Sequence, residues 1–384
     1  MTVPTLRCSV LPVREPSEAA RLIVLGPSLG TTSEIWDVVA GRLAETYRVL
    51  RFDLPGHGFS PAATSSFTVS DLATAVLDLV DSVGGGSFYY AGDSLGGAIG
   101  LTLAAEHPDR VLALIAFAAG ATFGTPDGWT ARAKQVRASG TASVVALSAG
   151  RWFAPGYLDR DPGPGAAALD HLLVVDDESY ALCCDALADY DLTEAAWSIR
   201  VPTLCVAGEF DVASPPSEVK ALAHLIPSAR YLVIPGAGHL PVTETPAEAE
   251  QAIRGMLPPE RTYEAGMIVR RAVLGDAHVD AANSRITPET ADFQEFLTRY
   301  AWGEVWARPG LSHRDRSLVT LASLVTGGHD NEIAMHVRAA LTNGVTREEI
   351  SEIILHTSLY AGLPGANAAF AIARSVFAEL DDEN

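Results

Sequence analysis

Lysine is nearly missing from this chain: of its 27 cationic side chains only Lys134 and Lys220 are lysines, and the others are arginines. Positive charge as a whole is outnumbered, since 47 acidic residues leave a formal net charge of −20. That balance excludes a nucleic-acid partner, whose phosphates need a basic surface. An anionic small molecule would need a local cationic pocket, and the planar guanidinium fork suits a carboxylate. Cysteine is scarce too: Cys8, Cys183, Cys184 and Cys205 form no C-x-x-C pair. Adjacent Cys183 and Cys184 suit neither zinc nor an ordinary disulfide, so the thiols read as reduced packing residues. No apolar run reaches the roughly 18 to 20 residues that span a bilayer. Residues 1–17 lack the charged-then-apolar pattern of a secretion signal. A soluble, cytoplasmic chain without a membrane partner is expected. Its 384 residues are comfortable for two domains, and a hydrophobic share of 48% fills their cores.

The stretch Gly92-Asp93-Ser94-Leu95-Gly96 organises what is present. Phe88-Tyr89-Tyr90-Ala91 before it reads as a buried strand. Gly97 to Ala105 after it is small and helix-compatible. Strand, G-x-S-x-G and helix form the setting of a nucleophile elbow, where a sharp turn lifts the serine clear of the sheet. Ser94 is the candidate nucleophile.

Strands alternating with helices surround this motif and predict a mostly parallel sheet covered on both faces. Residues 22–25 feed the loop Gly26-Pro27-Ser28-Leu29-Gly30-Thr31, after which Ser33 is expected to cap a helix. Residues 48–52 form a strand stopped by Asp53-Leu54-Pro55-Gly56-His57-Gly58, and a helix is expected over 70–83. From about 121 to 197 the rhythm is lost, which predicts an inserted helical cap. It resumes at Thr203-Leu204-Cys205-Val206-Ala207-Gly208, followed by Asp211, and at residues 229–234, followed by Gly236-Ala237-Gly238-His239. Asp211 and His239 thus sit at the carboxyl ends of parallel strands, on the edge that carries Ser94. His239 serves as general base and then acid, while Asp211 fixes its tautomer. Asp191 and Glu209 are alternative acids, with Asp211 better placed after its strand. Backbone N–H groups of Leu29 and Leu95 form the oxyanion hole. His57 and His107 read as structural.

Past Pro258-Pro259 the chain changes character, and helical periodicity replaces strands. Helices are expected over 263–274, 288–302, 313–326, 332–343, 347–361 and 365–380. The chemical signal is His329-Asp330-Asn331-Glu332-Ile333-Ala334-Met335-His336. Glu332 and His336 are four apart and share a helix face, with His329 in the preceding loop. The spacing matches no zinc pattern, and an incidental surface pair is the alternative.

Residues 5–258 resemble the α/β-hydrolase family, and more narrowly its 3-oxoadipate enol-lactonases. The broad match is carried by Asp53 to Gly58, the elbow, Gly208-Glu209-Phe210-Asp211 and Gly236-Ala237-Gly238-His239. The narrow match is carried by Ser28-Leu29-Gly30-Thr31 and Arg151-Trp152-Phe153, with Pro27 where family members often carry asparagine. Residues 259–384 resemble the 4-carboxymuconolactone decarboxylases. That match rests on Arg308-Pro309-Gly310-Leu311, Arg316 to Ala322, Glu332, His336, Asn343 to Ile350 and Tyr360 to Ala366.

The resemblances imply an α/β-hydrolase domain over 1–258 with its cap, then an all-α domain over 259–384. They also imply two consecutive steps of protocatechuate breakdown in the β-ketoadipate pathway. Substrates are small lactone carboxylates, no organic cofactor or metal is expected, and the chain forms a homo-oligomer. Arg151 is the first candidate to hold the substrate carboxylate, with Arg132 and Arg137 behind it, and Trp152 walls the pocket. The alternative is a serine esterase whose helical domain only drives assembly or binds a ligand.

Overall fold

Short, wholly apolar runs become the inner strands of a sheet buried on both faces. β1 (Arg7–Leu11), β2 (Leu22–Gly26), β3 (Arg48–Asp53), β4 (Phe88–Asp93), β5 (Val111–Phe117), β6 (Thr203–Gly208) and β7 (Ala229–Ile234) form one sheet of order β1-β3-β2-β4-β5-β6-β7. All pairings are parallel except β1 with β3. β2, β4 and β6 are buried along their whole length, as parallel strands covered on both faces must be. The computed structural model describes residues 2–13, 21–227, 229–257, 263–308 and 310–382. Contacts divide the chain into the units Met1–Leu257 and Pro258–Asn384. Pro258-Pro259 and Pro309 lie outside the described residues.

Alternation along β2 splits the core of the first unit in two. Val24 joins Leu50, Phe52, Tyr90 and Leu95 on one face, whereas Ile23 and Leu25 join Trp36, Val49 and Phe117 on the other. Helices α1 (Asp37–Leu43), α2 (Val69–Ser82) and α3 (Leu95–Glu106) supply the cover. The first helical turn, Ser33–Trp36, is capped by Thr32 and not by Ser33; the Thr32 side chain accepts from the Glu34 N–H. α2 starts in a reciprocal capping box between Thr68 and Asp71.

Between β5 and β6 the chain forms α4 (Pro126–Ser139), α5 (Val145–Trp152), α6 (Tyr157–Arg160), α7 (Pro162–Val174) and α8 (Asp177–Ala188). α4 packs along α8, which buries Cys183 and Cys184. α9 (Pro216–Leu225) links β6 to β7, and α10 (Pro241–Glu244) and α11 (Pro246–Arg254) end the unit.

The second unit is helical throughout its described residues: α12 (Tyr263–Leu274), α13 (Asp276–Asn283), α14 (Pro288–Leu297), a π-helical segment (Thr298–Trp306), α15 (His313–Gly327), α16 (Asp330–Thr342), α17 (Arg347–Ala361) and α18 (Leu363–Asp382). Two features depart from the sequence expectation. α13 is an extra short helix, separated from α12 by Gly275 at φ 83°. The helix expected over 288–302 changes to π geometry at Thr298 and runs on to Trp306. Gly266 of α12 approaches there so closely that a Cβ would run into the Thr298 carbonyl.

Candidate active sites

Ser94 joins β4 to α3 with φ 53° and ψ −112°, a positive-φ conformation that is rare outside glycine. Such a residue costs about 1–3 kcal/mol and persists only where its surroundings dictate it. Here the Ser94 N–H donates to the Phe117 carbonyl at 2.9 Å, and the Gly96 N–H donates to the Pro27 carbonyl at 3.0 Å. The second bond ties the elbow to the loop after β2. A Cβ on Gly96 would strike the Gly26 carbonyl, so only glycine permits this approach.

His239 follows β7 and Asp211 follows β6, and the two meet: Nδ1 lies 2.9 Å from Asp211 Oδ2. The other Asp211 oxygen accepts from the N–H groups of Ala213 at 2.7 Å and Ser214 at 3.0 Å. Both side chains are buried. Burial opposes the charged imidazole, but the Asp211 charge and hydrogen bond, with Asp93 adding, outweigh it and the opposing Arg151. The His239 pKa is therefore raised. The histidine loop is also tied to the cap. The His239 N–H donates to the Trp152 carbonyl at 2.8 Å, and Glu244 accepts from Ala154 N–H at 2.7 Å and Gly238 N–H at 2.8 Å.

Leu29 and Leu95 flank Ser94 from the β2 loop and from the first position of α3. Among the described residues neither backbone N–H donates to a protein group. The neighbouring Gly30 N–H donates to His57 Nε2 at 3.1 Å, and His57 Nδ1 lies 2.8 Å from the Pro55 carbonyl. This assigns the ring proton to Nδ1. Burial lowers the His57 pKa to about 4, against weaker opposition from the Pro55 bond and from Asp53 and Asp176. His57 is a neutral brace of the loop after β2, in line with its structural reading.

Ser94, His239 and Leu29 line a cavity of about 440 Å³ beneath the cap, together with Trp152, Arg132 and Arg151. Arg132 donates to Ser148 Oγ at 3.0 Å and lies 5.6 Å from the ring centres of both Trp129 and Tyr180. Its Nε has no hydrogen-bond partner among the described residues. Burial lowers the Arg151 pKa, and the nearby Arg132 cation adds to the shift against Asp211 and Tyr180. Arg137 is elsewhere: its guanidinium is taken up by Glu178 at 2.9 Å and Asp185 at 2.7 Å.

Asp93 was not singled out by the sequence, although it occupies the variable position of G-x-S-x-G. It is wholly buried, and among the described residues neither carboxyl oxygen has a hydrogen-bond partner. Burial pushes its pKa far above the carboxylate range, with Asp211 and Glu244 adding and His239 opposing.

In the second unit, α16 carries Glu332 exposed and His336 half-buried, one turn apart on one face. Burial lowers the His336 pKa; Glu332 opposes that shift and His278 of α13 adds to it. His329 precedes them at the N-cap of α16. It is exposed, its ring lies where a Cβ on Gly327 would be, and it caps no N–H of α16. No cluster of three His, Cys, Asp or Glu side chains suited to a metal ion occurs among the described residues. Nor is any helix among them long and apolar enough to cross a membrane.

Comparison with known proteins treats the two units separately. The family model of the alpha/beta hydrolase fold matches residues 21–141, and that of the carboxymuconolactone decarboxylase family matches residues 291–375. The 4-carboxymuconolactone decarboxylase of Acinetobacter baylyi is 50% identical over 121 residues, covering 32% of this chain and 90% of that protein. The 3-oxoadipate enol-lactonase 1 of the same organism is 31% identical over 240 residues, covering 62% of this chain and 90% of that protein. The crystal structure of the enol-lactonase from Burkholderia xenovorans LB400 superposes with a TM-score of 0.63 at 32% identity. It covers 65% of this chain and 95% of that one.

Proposed function

From a chain that belongs to the carboxymuconolactone decarboxylase family in its second unit and to the enol-lactonase-like α/β hydrolases in its first, we propose a bifunctional enzyme. It decarboxylates 4-carboxymuconolactone to 3-oxoadipate enol-lactone and hydrolyses that lactone to 3-oxoadipate. The observation that carries this reading is the meeting of Ser94, the His239–Asp211 pair and two guanidinium groups, Arg132 and Arg151, at one cavity. The domains are residues 1–258 and 259–384, with the cap over 121–197.

In the hydrolase unit, Ser94 attacks the ring carbonyl while His239 takes its proton. Asp211 holds the Nδ1 proton and stabilises the imidazolium. The N–H groups of Leu29 and Leu95 take the oxyanion. The ring oxygen leaves as an enolate, which departs more readily than an alkoxide and tautomerises to the ketone. Water activated by His239 then hydrolyses the acyl-enzyme. Arg151 and Arg132 hold the free carboxylate, and Trp152 walls the cavity.

In the helical unit the bond to one carboxyl carbon breaks. Its electron pair passes through the unsaturated lactone to the carbonyl oxygen, and a proton is delivered to carbon as CO₂ leaves. His336 is the acid and Glu332 orients it or handles its proton; His329 is a weaker candidate, given its exposed position. Leu355, Leu359, Tyr360 and Leu363 are exposed on this unit, which supports a homo-oligomer. The free thiols of Cys183, Cys184 and Cys205 support a reducing, cytoplasmic setting.

The test is turnover of 4-carboxymuconolactone by the intact protein and by Ser94→Ala. The reading expects CO₂ and 3-oxoadipate from the first, and CO₂ with arrest at the enol-lactone from the second. Absence of CO₂ from both overturns it and leaves a serine hydrolase with a non-catalytic helical partner.

A further inference from the structure

Five arginines of the second unit are neutralised within it. Arg271 pairs with Asp276 and Asp280, Arg299 with Glu295, Arg314 with Glu349, Arg338 with Glu379 and Arg347 with Asp381. These pairs are at the surface. Arg270 is the contrast: it is only 5% exposed and pairs with no carboxylate among the described residues. Its contacts are neutral, Thr298 Oγ1 at 3.2 Å and Gln294 Oε1 at 3.4 Å, and its Nε has no partner among the described residues. A buried cation without a counter-charge is costly, and a bound anion would relieve that cost.

Helix geometry shows what Arg270 faces. Val273 stands three residues further along α12 and so shares its face. Val273 packs with Trp302 and with Ala339 of α16. Ala339 in turn follows Glu332 and His336 at the spacing that lines one face of α16. The face of α12 that bears Arg270 therefore meets the face of α16 that bears Glu332 and His336. Beyond Gly275 the chain turns into α13 and brings His278 within electrostatic reach of Arg270, Arg285, Glu332 and His336. Burial, Arg270 and Arg285 lower the His278 pKa against the pull of Glu332. The π-helical segment begins at Thr298, the residue that receives the Arg270 hydrogen bond, and such segments recur at functional sites.

We propose that Arg270 binds a substrate carboxylate in the decarboxylating unit and that His278 is a positioning residue beside His336 and Glu332. This rests on the decarboxylase reading above and extends its site from one helix to three. A substrate with two carboxylates loses one as CO₂ and must be held by the other. Arg270 supplies the fixed cation. His278, which α13 carries just beyond the end of α12, aligns the acid–base pair with the ring carbon that takes the proton.

The full-length protein tests this through CO₂ release from 4-carboxymuconolactone by the wild type, Arg270→Lys and His278→Asn. Hydrolysis of 3-oxoadipate enol-lactone by the first unit and the thermal unfolding profile are followed in parallel. Arg270→Lys is expected to raise KM about tenfold or more, because lysine lacks the two-pronged fork. His278→Asn is expected to lower kcat about tenfold or more, leave KM within threefold and displace the pH profile of CO₂ release. Both variants should keep lactone hydrolysis and unfold as the wild type does. Wild-type CO₂ release with both variants within twofold overturns the proposal and spares the decarboxylase reading. Losses that track a lowered unfolding temperature, with KM and the pH profile unmoved, also overturn it by reducing both residues to structure. No CO₂ from the wild type removes the reading and the proposal together.

Discussion

Replacing Arg151 by methionine tests how the hydrolase cavity chooses an acid over a neutral ester. Arg151 lines the cavity with Ser94 and has no hydrogen-bond or ion-pair partner among the described residues. Removing it breaks no internal bond, and methionine keeps much of the volume. A charged hydrogen bond contributes about 1.5–3 kcal/mol, which corresponds to roughly a 10- to 150-fold loss in kcat/KM. Measured on the alkaline plateau, where His239 is neutral with or without the opposing Arg151 cation, the loss should fall on 3-oxoadipate enol-lactone alone, because p-nitrophenyl acetate offers no carboxylate. Arg132→Met should show the same selectivity and also a lower unfolding temperature, since Arg132 stacks between Trp129 and Tyr180 and donates to Ser148. If both arginines grip one carboxylate, the double variant loses less than the product of the single losses. The assay is kcat/KM for the two substrates with each of the three variants. Equal loss on both substrates, or none on the lactone, refutes carboxylate recognition by this pair.

Other expectations concern the proton and the loop that carries it. The His239 pKa is raised above the ordinary 6.5, and only the neutral imidazole acts as base. Hydrolysis of the neutral ester should therefore fall with decreasing pH, with its acid limb above 6.5. Burial and the neighbouring Asp211 and Glu244 oppose ionisation of Asp93, so Asp93→Asn should keep kcat/KM within about threefold of the wild type and should not move the acid limb. A downward displacement of half a unit or more would mean that Asp93 carries charge beside the imidazolium. Glu244→Gln leaves one of the Ala154 and Gly238 N–H groups facing an amide nitrogen. It should destabilise the unit by about 1–3 kcal/mol and lower kcat with little change in KM, as read by thermal unfolding and ester kinetics.

What could be read from the sequence was local in the chain. Ser94 is marked by its glycines, whose small size the approach of Gly96 to Gly26 requires. Asp211 and His239 are marked by the apolar strands that deliver them to one edge of a parallel sheet. β1 carries no such mark, because it is short, half-exposed and antiparallel at the sheet edge. α13 hides for a related reason: eight residues after a glycine break give too little periodicity to distinguish a helix. His278 goes unnoticed with it, since Glu332 and His336, which it influences electrostatically, belong to a helix that begins far along the chain.

Arginine chemistry lies further still from what a sequence can tell. An arginine can recognise a substrate carboxylate only if no carboxylate of the chain already fills its fork. Arg132, Arg137 and Arg151 look equivalent as letters in one helical stretch. Folding gives Arg137 to Glu178 and Asp185 and leaves Arg132 and Arg151 facing a cavity without an acid partner. The same sorting separates Arg270 from its neighbour Arg271, which pairs with Asp276 and Asp280. Among the described residues, an arginine that is buried and still unpaired has been kept from every carboxylate. A bound anion would relieve the cost of such a cation, and a carboxylate substrate is the anion that both units are proposed to share.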